Sequence, residues 1–168
     1  MHTGAVRTLF RFPNPVNEVA ARTVAAGVVV LCLVTLLLRT GWPLWLLAAG
    51  FVARVLTGPT LSPLGQLAVR VIAPRIAAPK LVPGPPKRFA QGIGATLSVA
   101  ALVAYLVGAP TVAWILVAMI AVAATLESAF ALCLGCMIFG RLQALGVIPA
   151  AVCEACNDVR GRYASATS

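Results

Sequence analysis

Long apolar runs alternate along the chain with short polar or proline-rich breaks. An α-helix rises about 1.5 Å per residue and a bilayer's hydrocarbon core is about 30 Å thick. A crossing therefore needs about 20 mostly apolar residues. The runs predict spans at about 20–38, 40–57, 89–107 and 111–139. The second is short and carries Arg54. The fourth has 29 residues, interrupted by Glu127 alone. As one helix it would be about 43 Å long. Its end, around Cys133 to Arg141, is therefore expected at the interface.

The breaks set the connectivity. Gly41-Trp42-Pro43 and Gly108-Ala109-Pro110 are tight turns, which suit antiparallel neighbouring helices. Trp42 and Trp45 are expected as interface anchors. The middle connection, about Thr57 to Arg88, holds seven of the twelve prolines. A short helix over Pro63–Ile72 is expected there, with Ser62 as N-cap and Pro63 in the first turn. Leu64, Leu67, Ala68, Val71 and Ile72 would form its apolar face, with Gln66 and Arg70 opposite. That pattern suits an amphipathic helix lying on the membrane. The alternative is an irregular loop.

Composition supports the membrane assignment. Of 168 residues, 61% are hydrophobic and 10% charged, against about 25% charged in an average soluble domain. Mean hydropathy is +0.98. These values argue against a soluble enzyme, a disordered chain or a nucleic-acid-binding domain, although the net charge is +9. In a membrane chain such a charge reports orientation. Eleven of the thirteen Lys and Arg fall in the N-terminal segment, the middle connection and the C-terminal tail. Four spans put those segments on one side. The positive-inside rule then places both termini in the cytoplasm, within the bacterial inner membrane, with basic groups near anionic lipid heads. No cleavable signal peptide is expected, because the first 20 residues are polar with Pro13 and Pro15. The expected organisation is a cytoplasmic segment 1–19, a membrane domain 20–145 and a cytoplasmic tail 146–168.

Intramembrane charges are costly and need partners. Arg54 and Glu127 come out at similar depth near the inner leaflet, so an Arg54–Glu127 ion pair is expected. Arg22 and Arg88 are rival partners. The pair would fix helix register, or serve a site for a proton, an anion or a quinone head group. Arg54, Arg88, Gln91, Glu127 and Cys133 would gather at one polar end. Gly92 and Gly94 would allow close helix packing with Ser98.

Cys32 lies mid-span and is expected as a small core residue. The other four cysteines follow C-x2-C-x16-C-x2-C: Cys133, Cys136, Cys153 and Cys156. Residues three apart share a helix face, so Cys133 and Cys136 can bond or hold one metal. The spacing matches a four-thiolate zinc site and equally two dithiol redox pairs. A purely structural role is the third alternative. The single histidine, at position 2, excludes His-based metal clusters, bis-His haem and His-based triads.

Several of these residues carry a family resemblance. The run Pro86-Lys87-Arg88-Phe89-Ala90-Gln91-Gly92-Ile93-Gly94 resembles the span start of a bacterial membrane family, domain of unknown function 4395. So do Ser62-Pro63, Glu127 and the Cys133–Cys136 motif, with a looser likeness at Asn14-Pro15-Val16-Asn17-Glu18. The resemblance covers roughly residues 12–145, so Cys153 and Cys156 fall outside it. The family is distantly similar to four-span DoxX- and MauE-like proteins, which implies thiol or sulfur redox work.

The expected fold is thus an all-α integral membrane four-helix bundle with a Pro-rich cytoplasmic connection. The expected function is a thiol-redox or sulfur-transfer component. Cys133 and Cys136 would serve a thioredoxin-like or sulfurtransferase partner, with the tail pair as a shuttle. The alternatives are an assembly subunit with zinc on the four cysteines, and a small transporter subunit using Glu127. A chain this small would have to form a homo-oligomer to enclose a transport path.

Overall fold

The computed structural model describes residues 14–153. Cys156 and the cations Arg7, Arg11, Arg160 and Arg162 lie outside them. The fold is all-α, apart from one pair of two-residue strands, β1 (Val16–Asn17) and β2 (Leu81–Val82), which are antiparallel. In chain order the helices are α1 (Glu18–Leu38), α2 (Trp42–Thr57), α3 (Pro63–Leu67), a π-helical turn (Ala68–Ile72), α4 (Ala73–Ile76), α5 (Gly84–Leu106), α6 (Pro110–Phe130) and α7 (Leu134–Ala144), followed by a 3-10 turn at Ala150–Cys153.

Helices α1, α5 and α6 are long and apolar enough to cross a membrane; α2 is apolar but has 16 residues. α1 packs chiefly on α6, α2 on α5, and α5 on both α6 and α7. Their shared core includes Val28, Cys32, Leu44, Leu47, Ala101 and Val117. Cys32 is a fully buried free thiol in that core, as its position suggested. Leu37, Val103, Val122 and many other apolar side chains point outward. An outward apolar surface of this extent suits lipid rather than water. Trp42 and Trp45 are exposed in the first turn of α2. Near that end Tyr105 meets Trp114 with ring centroids 5.6 Å apart.

The helix starts follow local chemistry. Asn17 caps α1 by accepting from Val19 N–H at 3.0 Å. α5 begins at Gly84 rather than near Phe89, with Pro85 and Pro86 in its first turn. Proline suits that position because the first-turn N–H groups have no partner inside the helix. Asn14 accepts from Gly84 N–H at 3.0 Å. The earlier start brings Lys87 and Arg88 into the helix.

The middle connection is helical from Pro63 to Ile76, longer than expected, and Ser62 caps it by accepting from Gly65 N–H at 3.2 Å. Pro74 has no N–H for Arg70 O and its ring crowds that carbonyl. The preceding turn widens to π, with Ala73 N–H donating to Ala68 O. Gly65, Ala68 and Ala73 are buried, while Leu67 and Val71 face outward. Leu64 lies so close to Gly27 of α1 that a Cβ there would overlap it. Small residues thus seat the segment against α1.

The fourth expected span is two helices. α6 stops at Phe130, and Ala131 adopts the left-handed conformation at φ 57°. Leu132 N–H then returns to Leu126 O at 3.0 Å, which closes the helix end. α7 restarts at Leu134 with Cys133 as N-cap. The 29-residue run is therefore broken by a turn that contains neither Gly nor Pro.

Candidate functional site

The polar groups of the apolar helices collect at one end. Arg54 sits in the last turn of α2 and is 6% exposed. Its Nε donates to Gln91 Oε1 at 3.0 Å and its Nη1 to Ser62 Oγ at 3.3 Å. The guanidinium also lies 4.5 Å from the centroid of the Phe51 ring, in reach of a cation–π attraction. Ser62 therefore both caps α3 and holds Arg54.

Glu127 does not take Arg54 as its direct partner. Its Oε1 accepts from Lys87 Nζ at 2.7 Å, with both side chains largely buried. The ion pair expected from matched depths is replaced because α5 starts five residues early, putting Lys87 in the same polar layer. Of the rivals, Arg22 instead crosses to the end of α6. It donates to Ser128 O at 3.1 and 2.9 Å and to Ala129 O at 3.3 Å. A helix C-terminus leaves carbonyls without intrahelical partners and carries partial negative charge, so a cation fits there. Arg88 donates to Val55 O at 3.2 Å and lines a separate surface pocket with Phe89 and Phe139.

Cys133 and Cys136 are joined by a disulfide, with Cα atoms 5.2 Å apart, a normal separation for such a bond. Cys133 Sγ also accepts from Cys136 N–H at 3.3 Å. The pair thus occupies the first turn of α7, where N–H groups and the helix dipole favour a thiolate. Helix α7 approaches α5 at Gly135, where a Cβ would strike Ala90. Phe89 and Phe139 add an edge contact, centroids 5.7 Å apart.

A cavity of about 270 Å³ lies among α1, α2, α5, α6 and α7. Its wall is mainly apolar, and Arg54, Gln91, Glu127 and Cys133 are among the residues that line it. Four of the five residues expected at the polar end therefore share one cavity, and Arg88 does not. On the other side of the disulfide, Cys133 and Cys136 line a surface groove with Glu18, Lys87 and Met137. Cys133 is 8% exposed and touches both spaces; Cys136 is half-buried and opens to the groove.

The tail pair is placed only in part. Cys153 is buried in the 3-10 turn, its carbonyl 3.5 Å from Gln143 Nε2. Among the described residues no group of three or more His, Cys, Asp or Glu side chains gathers as a metal site. Cys133, Cys136 and Cys153 thus do not form three corners of a zinc cage, and the fourth member of that expected set, Cys156, lies outside the described residues. Lys87 is the partner of Glu127 that the reading of the sequence did not anticipate. Its signal is the position just ahead of the third apolar run, among residues assigned to the connection rather than to the helix.

Three helices long and apolar enough to cross a membrane, in an all-α fold, are the mark of a helical membrane protein. The chain belongs to the family described as a domain of unknown function (DUF4395), which matches residues 16–144. No curated protein and no solved structure matches the chain.

Proposed function

We propose that this protein is a membrane thiol–disulfide component in which Cys133 and Cys136 cycle between dithiol and disulfide. The supporting observation is the position of the pair: bonded, at a helix N-terminus, between an intramembrane cavity and a surface groove. The half-buried Cys136 is the sulfur that a soluble thioredoxin-like or sulfurtransferase partner reaches through the groove. Attack by the partner's thiolate on Cys136 breaks the S–S bond and makes a mixed disulfide. Cys133 leaves as a thiolate held by Cys136 N–H. The second thiol of the partner then releases Cys136, and the partner carries away the disulfide.

In this proposal α1, α2, α5 and α6 form a four-span bundle. The 16-residue α2 reaches across with the help of its flanking turns and Trp anchors. Helix α7 lies at the inner-membrane surface. The basic segments face the cytoplasm, so the disulfide meets a reducing compartment and cycles rather than persisting.

The test is the thiol state of protein purified from membranes, read by alkylation and mass spectrometry before and after oxidant. A disulfide linking Cys133 to Cys136 should form under oxidant and open with reductant. If both thiols stay reduced under oxidant, and replacing both by Ser changes no phenotype, the proposal fails.

A further inference from the structure

We infer that the cavity beside Cys133 receives the ring of a membrane quinone, which takes the two electrons of the Cys133–Cys136 dithiol. This rests on the thiol-redox proposal and names its electron acceptor.

The cavity's own chemistry selects the ligand. Its rim includes Met119, Leu134 and Ile138, all exposed apolar side chains on α6 and α7. Helices α6 and α7 touch each other only lightly, so in the proposed four-span arrangement the side between them would open toward lipid. An occupant arriving there partitions from the bilayer and has an apolar body. The volume of about 270 Å³ is near the lower bound for ligand cavities, about 300 Å³. That suits one ring with its tail left in lipid.

The polar groups inside match a ring bearing carbonyls. Arg54 uses Nε and Nη1, and Gln91 uses its carbonyl oxygen, so Arg54 Nη2 and Gln91 Nε2 donate to no described residue. Glu127 Oε2 likewise accepts from none. Among the described residues Thr40 Oγ1 is the one side-chain polar atom sealed without a partner. The three atoms are therefore accessible rather than sealed, and their residues line the cavity. Two donors next to one carbonyl oxygen would hold it, and the guanidinium would stabilise negative charge developing there. A fatty acid carboxylate would also pair with Arg54, but it can accept no electrons from the sulfur in the same wall.

The step balances. Cys133 and Cys136 each lose a hydrogen and an S–S bond forms between them. The quinone gains two electrons and two protons, and its two carbonyls become hydroxyls. Glu127, which lines the cavity and has its second oxygen without a described partner, is the base available to carry a proton from thiol to ring oxygen. The resulting disulfide is then free to oxidise the next dithiol partner at the groove.

The test uses full-length protein in lipid nanodiscs, reduced, freed of reductant, and mixed anaerobically with decylubiquinone. Loss of quinone absorbance and closure of the Cys133–Cys136 bond should proceed together, one quinone per chain, with a rate that saturates. Arg54→Gln should slow the reaction about a hundredfold. Ala123→Phe, which fills the cavity from α6 and leaves the Arg54 side chain itself unchanged, should also slow it. Wild-type protein treated with diamide provides the second arm. If diamide closes the bond and decylubiquinone does not, the quinone inference fails and the thiol proposal stands. The same holds if both variants react at the wild-type rate, or if the cavity retains only fatty acid and no quinol forms. If diamide also leaves both thiols free, the thiol proposal itself fails.

Discussion

Lys87 Nζ lies 2.7 Å from Glu127 Oε1, joining the first turn of α5 to the last turns of α6. Both side chains are mostly out of contact with solvent. Removing one partner of such a pair leaves a buried charge uncompensated, at a cost of about 3 kcal/mol. Lys87→Met should therefore destabilise the protein by about that amount. The double variant Lys87→Met with Glu127→Gln should be more stable than the single one, a coupling of about 1–3 kcal/mol. Unfolding of the four proteins of this cycle in detergent measures it; additive effects would show that the pair contributes nothing.

Arg22 supplies the end of α6 with three hydrogen bonds from another helix. Arg22→Gln should loosen the turn at Ala129–Cys133 and cost about 1–3 kcal/mol, because hydrogen bonds to charged groups are the stronger ones. Hydrogen exchange in that turn should quicken while the middle of α6 stays protected. Unchanged exchange would mean that the turn holds without Arg22.

In α5 and α7, Gly94 and Gly135 stand against neighbours, while Gly92 and Gly140 do not. A Cβ at Gly94 would strike the Phe51 ring, and one at Gly135 would strike Ala90. Gly135→Val should push α7 off α5, costing about 1–3 kcal/mol, and should slow disulfide closure at Cys133. Gly92 has open space around its Cβ position. Gly92→Ala should be neutral, or stabilising by up to about 1 kcal/mol through helix propensity. Thermal unfolding of the variants separates these outcomes; equal losses would contradict the packing.

The orientation we propose is checked by labelling. With native cysteines replaced by Ser, a cysteine at Arg39 should react with an impermeant maleimide added to intact cells. One at Arg75 should react only after the cells are opened. The reverse pattern would invert the topology.

The apolar runs by themselves marked where α1, α2, α5 and α6 lie, because burial in lipid demands long hydrophobic stretches with few charges, but not the early start of α5 or the break after Phe130. They also placed the two tight turns, the Ser62 cap and the depth at which Arg54, Gln91, Glu127 and Cys133 meet. Local chemistry carries each of these. Of Gly92 and Gly94, both marked by the sequence for close packing, only Gly94 meets Phe51.

Only the tertiary structure decided which partner each charge takes. Depth along a helix is a one-dimensional coordinate, and Arg22, Arg54, Lys87 and Arg88 share nearly the same value of it. Azimuth and side-chain reach separate them: Lys87 to the carboxylate, Arg22 to the carbonyls of α6, Arg54 to Gln91 and Ser62. The break at Ala131 has the same origin. No Gly or Pro announces it; Arg22 from α1 and the Cys133 cap complete the hydrogen bonding that a left-handed alanine leaves open. That turn swings the cysteine pair off the line of α6 and sets it between the cavity and the groove.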